Sequence, residues 1–229
     1  MTNQAKNVRC HCGQTKEHHW VSPEGNLILL FSLLLSLVLL HCCPYLSLLG
    51  IVWFLFCVYF FRNPKRVSPK EEGVLLSPAD GVVIVDELVT EPHFLHIPMR
   101  KISVFMSPFN VHVNRNAVSG VVQDKTELAG RFKAAFDKDA SEKNERVAVW
   151  LRTKEGHDVV MVQIAGWFAR RIVNYLKAGD VVAAGNIFGV IKFGSRVDLY
   201  FPDDYRVVVS LKQKVRAGET LLARKKSEA

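Results

Sequence analysis

The sequence predicts a mainly β (α+β) globular domain carried behind an N-terminal helical hairpin. Two observations carry that prediction. Residues 26–61 contain no Asp, Glu, Lys or Arg, whereas the rest of the 229-residue chain mixes apolar and charged residues as a soluble domain does. From Gly73 onward the apolar residues fall in short β-branched or alternating runs punctuated by Gly, Pro and Asp, which is the pattern of strands.

Residues 1–25 read as a polar tail. Cys10, Cys12, His18 and His19 are potential zinc ligands, but the Cys-x-Cys spacing is poor for a structural site and no second ligand pair follows. No metal is expected. The tail leads into two apolar runs, Asn26–Cys42 and Tyr45–Phe61, broken at Pro44. Each is near the lower limit of about 17–25 residues for a spanning helix. Together they predict a membrane-anchoring hairpin over 26–61 with its turn at His41-Cys42-Cys43-Pro44, the alternative being one kinked or re-entrant anchor. The region is too long for a signal peptide, and no small-residue cleavage site follows it.

Basic residues stand on both sides: Lys6, Arg9 and Lys16 before, Arg62, Lys65, Arg66 and Lys70 after. That places both termini in the cytoplasm, with Arg62, Lys65 and Arg66 against anionic headgroups. The net charge of +8 asks for an anionic partner, and the membrane surface fits better than nucleic acid, because aromatic-plus-basic spacing is missing. All five cysteines (Cys10, Cys12, Cys42, Cys43 and Cys57) precede residue 61, so the globular part has no disulfide framework.

In the globular part, 66–229, strands are expected at Val82–Val85, Ile102–Met106, Val118–Val122, Val147–Leu151 and Val159–Ile164. Trp167–Lys177 reads as a helix, with Phe168, Ile172 and Leu176 at i, i+4 and i+8 and Gly179 as its stop. Asp137–Arg146 is a charged run expected to form a solvated loop. A short repeat, x-Ala-Gly-acid-apolar, occurs in Leu176–Gly185 and again in Val215–Ala223. Such turns recur in the barrel-sandwich hybrids of lipoyl and biotinyl carriers, so the architecture is expected to be barrel-sandwich-hybrid-like.

Phe193-Gly194-Ser195-Arg196 lies between two strand-like runs, Ile187–Phe193 and Val197–Pro202. A Gly-Ser pair there is first of all a tight hairpin turn. The same residues suit a rarer chemistry: glycine leaves its carbonyl unshielded and tolerates strain, so the following hydroxyl can attack it.

Six motifs, in order from Phe60 to Ser195, favour the second reading. They are Phe60-Phe61-Arg62-Asn63-Pro64, Ser77-Pro78-Ala79-Asp80-Gly81, the histidine-bearing run Met106–Arg115, Ala140–Arg146, Gln163-Ile164-Ala165-Gly166, and Phe193-Gly194-Ser195. Together they resemble the short (type A, archaetidylserine-decarboxylase-like) pyruvoyl-dependent phosphatidylserine decarboxylases. The resemblance implies a membrane-bound lyase of phospholipid synthesis, made as a zymogen. Ser195 would attack Gly194, cutting the chain into 1–194 and 195–229, which stay together as a heterodimer. Residue 195 would become a pyruvoyl group that forms a Schiff base with phosphatidylserine and releases CO₂ and phosphatidylethanolamine. Asp80 and His112 would do the acid–base work, the carboxylate orienting the imidazole beside the serine. The catalytic domain would face the cytoplasm, and deleting residues 1–61 is expected to weaken membrane binding more than it harms self-cleavage, because the cleavage site lies in the separate sandwich.

One position departs from the longer bacterial members, which have a second histidine where this chain has Arg115. The resemblance places His112 in turnover, so the base for self-cleavage is left open among His112, His96 and His157. Two rival readings lack catalysis. A membrane-anchored lipoyl-like adaptor of an export pump needs a long heptad hairpin inside the sandwich, which is missing. A lipoyl or biotinyl carrier needs a modifiable lysine where this chain has Gly194-Ser195.

Overall fold

A computed structural model of the chain describes residues 20–130, 144–166, 171–192 and 195–226. The two apolar runs are helices α1 (Asn26–Cys42) and α2 (Pro44–Phe60), joined at Cys43. Pro44 opens α2, where its missing N–H costs nothing. Each helix has 17 residues and spans about 26 Å. With the short 3₁₀ turn before it, the first reaches 20 residues, Pro23–Cys42, long and apolar enough to cross a membrane.

Apart from Phe60 at the end of α2, the buried residues of the two helices are small: Ser32, Ser36, Ser47, Gly50 and Cys57. A Cβ at Gly50 would stand 3.1 Å from the Ser36 Oγ, so glycine is what lets the helices approach. Leucines cover the outside. The feet of the hairpin are tied together, Ser22 N–H donating to the Phe61 carbonyl (2.7 Å) and Asn63 N–H to that of Trp20 (2.8 Å).

The remainder is β-structure: β1 (Val74–Leu76), β2 (Gly81–Thr90), β3 (Pro98–Met106), β4 (Val113–Arg115), β5 (Gly120–Leu128), β6 (Arg146–Arg152), β7 (Asp158–Ala165), β8 (Ile172–Asn174), β9 (Val181–Val182), β10 (Ile187–Ile191), β11 (Ser195–Phe201), β12 (Tyr205–Val207), β13 (Lys214–Val215) and β14 (Leu221–Lys225). They form an eight-stranded sheet in the order β13-β2-β3-β11-β7-β6-β5-β9 and two three-stranded sheets, β4-β10-β8 and β1-β14-β12. Every pairing is antiparallel. Four of the five expected strands lie wholly within these elements, and the fifth, Val118–Val122, starts two residues before β5.

β11 is the centre of the large sheet, and all seven of its residues are buried. Its alternation puts Val197, Leu199 and Phe201 into the main core with Ile102, Val104 and Met161. Tyr200, on the opposite face, packs with Met99, Val162 and Ile164. Arg196 and Asp198 lie on that second face as a buried ion pair, Nε to Oδ1 2.5 Å, and Arg196 Nη2 also donates to the Ser103 Oγ (2.8 Å).

Two expectations give way here. Residues 172–174 are the strand β8, paired with β10, and not part of a helix. The β-branched Ile172 and Val173 suit the pairing, and the Asn174 side chain accepts the Leu176 N–H, turning the chain immediately afterwards. The start of the expected helix, with Phe168, lies outside the described residues. Second, β10 and β11 belong to different sheets, so the Gly194-Ser195 step does not join the two arms of a tight hairpin. The repeat is real in backbone terms: Gly179 and Gly218, equivalent within it, both have positive φ, 90° and 71°. Most of the charged run 137–146, the first 19 residues, Phe193 and Gly194 lie outside the described residues.

Candidate active site

Antiparallel pairing brings the sequence motifs to one rim of the large sheet. Ser195, first residue of β11, lies opposite Met106, the last of β3, and opposite Ala165, the last of β7. Asp80 immediately precedes β2, whose Val82 pairs with Phe105 of β3. Register thus brings the runs that contain Asp80, His112 and Gln163 to the rim at which Ser195 begins β11.

Ser195 is fully buried, and its Oγ has no hydrogen-bond partner among the described residues. An unsatisfied buried hydroxyl costs about 1–3 kcal/mol and calls for a reason. It sits on the core-facing side of β11, in register with Val197.

His112 is 1% exposed. Its Nδ1 lies 3.0 Å from the Asn110 carbonyl. A carbonyl only accepts, so Nδ1 carries the proton, and in the neutral ring Nε2 is a bare lone pair. That Nε2 is buried without a hydrogen-bond partner among the described residues. Burial lowers the pKa to about 4, helped by the charge of Arg62 and opposed by the Asn110 carbonyl. At neutral pH the ring is therefore uncharged and its free nitrogen is an acceptor. Asn110 also shapes the loop, its Oδ1 accepting from the Ser107 N–H (2.9 Å) and Oγ–H (2.8 Å).

Among the described residues Asp80 makes no hydrogen bond to His112. Its Oδ1 accepts the main-chain N–H of Ala217 (2.7 Å) and its Oδ2 pairs with Arg66 Nη2 (2.7 Å), while Arg66 Nη1 reaches Glu219 (2.9 Å). Burial pushes the Asp80 carboxyl above its ordinary value, against the pull of the Ala217 N–H and Arg66. The part expected of a carboxylate is taken by the Asn110 carbonyl.

Arg115 is a clamp. Its Nη1 donates to the Gly185 carbonyl (2.9 Å), and its Nη2 lies 3.2 Å from both the Asn63 Oδ1 and the Pro64 carbonyl. A guanidinium so occupied is no proton carrier. His96 and His157 are at the opposite rim. His96 precedes β3, whose length of about 27 Å separates it from Met106, and His157 precedes β7, which is about 23 Å long. Neither reaches Ser195.

Two features were not foreseen. The ring of Phe60, at the end of α2, stacks on His112 with centroids 4.1 Å apart and planes at 29°. The hairpin thus touches the residue expected to do acid–base work. A chain of buried amides also runs behind the rim: Gln163 donates to Asn114 (2.8 Å) and accepts from Asn174 (2.8 Å). Gly189 makes room for it, since a Cβ there would collide with the Gln163 amide. A lone glycine within the strand Ile187–Ile191 was the available signal.

Residues 53–223 match the family model described as phosphatidylserine decarboxylase. Among similar proteins are three each described as a phosphatidylserine decarboxylase proenzyme. That of Geotalea uraniireducens is 49% identical over 168 residues, covering 73% of this chain and 78% of the relative. That of Aromatoleum aromaticum is 50% identical over 171 residues, covering 74% and 79%. That of Desulfotalea psychrophila is 41% identical over 203 residues, covering 88% and 95%.

Proposed function

The chain belongs to the phosphatidylserine decarboxylase family, and on that premise we propose that Ser195 is the residue that matures and His112 the base that starts it. The activity is that of a carboxy-lyase of phospholipid biosynthesis made as a proenzyme, and its cofactor is a covalent pyruvoyl group derived from a serine. The non-catalytic adaptor and carrier readings fall with that assignment. The observation carrying the residue assignment is that Ser195 Oγ and His112 Nε2 are both buried at this rim with no hydrogen-bond partner among the described residues. One has a proton to give and the other a lone pair to take it.

In this reading Nε2 takes the hydroxyl proton as Oγ attacks the Gly194 carbonyl carbon, and the peptide becomes an ester. Loss of the Ser195 α-proton then expels the Gly194 carboxylate and leaves a double bond at residue 195. Water replaces the nitrogen, ammonia departs, and a ketone caps the new chain 195–229. Once formed, the pyruvoyl group supplies the electron sink into which the carbon–carboxylate bond of phosphatidylserine breaks, releasing CO₂. The chains 1–194 and 195–229 stay paired because β11 lies between β3 and β7. Around the ketone, the chain's own contribution is a dry wall of Met106, Ala165 and Val197 and a neutral imidazole.

The hairpin anchors the domain in the membrane with its tip, Cys42 and Cys43, outside and the domain on the cytoplasmic face. The support is its apolar surface and the cations Arg62, Lys65, Arg66 and Lys70 that follow it. The intact mass of purified protein tests the maturation. Two chains are expected, the smaller beginning at residue 195 with a ketone in place of its amine. Ser195→Ala should stay whole and inactive. A wild-type chain that remains whole while decarboxylating the lipid would overturn the assignment.

A further inference from the structure

We propose that the foot of the hairpin is a working part of the active site, with Phe60 as the positioning residue for His112. This rests on the reading of His112 as the base. Phe60 is wholly buried, and one face of the imidazole lies on its ring. The loop bearing His112 is gripped from the same helix. Tyr59 Oη donates to the Phe109 carbonyl (3.1 Å), Arg62 Nη2 donates to the same oxygen (2.8 Å), and the rings of Phe56 and Phe109 meet edge to face at 6.5 Å. Phe56, Tyr59 and Phe60 stand at i, i+3 and i+4, one face of α2. That face fits the Phe109–His112 loop.

The other foot holds the strand that leads to the cleaved bond. The Glu24 carbonyl accepts from Lys192 Nζ (3.0 Å), three residues before Ser195, and the Glu24 carboxylate accepts from Tyr175 Oη. Gly25 lies against the Phe61 ring where no Cβ would fit. The two feet, bonded to each other, thus bracket the site: one carries the base and the other the approach to Gly194.

A residue that merely filled space would be replaceable by any apolar side chain. Phe60 instead fixes the plane of the imidazole and keeps water from it. Without the ring, His112 gains solvent and freedom to rotate, its proton affinity rises, and Nε2 no longer holds one direction. Among the described residues the charge acting on the imidazole is that of Arg62, and the Asn110 carbonyl faces its other edge. Asp80 is engaged by Arg66.

The test uses the full-length Ser195→Ala chain in detergent micelles, so that no catalysis is needed, and follows the His112 ring protons by NMR from pH 3.5 to 8. The parent should titrate near pH 4, Phe60→Ala should move the midpoint toward the ordinary histidine value of about 6.5, and Phe60→Tyr should leave it in place. Phe60→Leu keeps apolar volume and guards against misfolding of the alanine variant. It should shift the midpoint in the same direction by less. In the cleaving chain, Phe60→Ala should slow maturation by about 10–100-fold, a fraction of the whole general-base effect, and Phe60→Tyr should restore it. An unmoved His112 titration in folded Phe60→Ala and Phe60→Leu chains would overturn the proposal. If His112→Ala cleaved normally while the titration still moved, the base assignment would fall and the positioning by Phe60 would stand.

Discussion

The carboxylate of Asp80 accepts the main-chain N–H of Ala217 at 2.7 Å, joining residues on opposite sides of the Gly194–Ser195 bond. Arg66 extends the link to Glu219, β13 pairs with β2, and β14 pairs with β1. Each connects residues before that bond to residues after it. Asp80→Asn keeps an acceptor for Ala217 but leaves Arg66 with Glu219 alone. The expected cost is about 2 kcal/mol, below the 3–5 typical of breaking a buried pair because one partner remains. Tm should fall by about 4–8 °C and maturation should slow, while the pH dependence of cleavage stays unchanged. A shifted pH profile would show that Asp80 acts on the proton transfer itself.

Histidine substitutions separate the candidate bases. His112→Ala should slow self-cleavage by about 10²–10⁴-fold, the usual weight of a general base. His96→Ala and His157→Ala should cut at the wild-type rate, being placed at the far rim. Time courses on a denaturing gel read all three.

The pH dependence follows from the lowered pKa of His112. Between about 4 and the unfolded value near 6.5, the unfolded chain binds a proton that the folded one refuses. Stability contributed by this group is therefore present above pH 6.5 and lost as pH falls toward 4. The full loss is about 3 kcal/mol, at 1.36 kcal/mol per unit. Urea unfolding of Ser195→Ala at pH 4.5 and 7 measures it, and His112→Gln should remove that part of the difference. Maturation should speed up through pH 4–5 and level off near neutrality.

Removing residues 1–61 should abolish maturation as well as membrane binding, because Phe60 and Phe61 leave with the anchor. A truncated protein that cleaves normally would show that the site tolerates an open wall. In whole cells, an impermeant thiol reagent should label Cys42 and Cys43 from outside, both being exposed at the hairpin tip.

The strands were legible because alternation is a local signal, and the hairpin because an uncharged run followed by Pro44 has few other solutions. Residues 172–174 were misread because helical spacing over three apolar residues is weaker than pairing with a glycine-bearing strand, and a partner is invisible to a local pattern. Ser195 and His112 were legible only as motif residues. The register of β11 against β3 and β7 brings the runs that hold them to one rim, and no local pattern marks a register. What orients His112 is a main-chain carbonyl, which no sequence pattern marks, and the ring that covers it comes from a helix whose residues read as lipid-facing.

The burial of β11 has a bearing on how the enzyme is supplied. In the proposed maturation its first residue carries the cofactor, and its whole length is inserted between two neighbours with no exposed residue. Nothing can be withdrawn from such a slot and reinserted without unfolding the sheet. Each molecule is accordingly charged once, at its own maturation, and a molecule whose residue 195 is chemically spent cannot be refilled from a pool. The amount of working enzyme in a cell should follow the rate at which new chains are made and cut, and be indifferent to the supply of any vitamin.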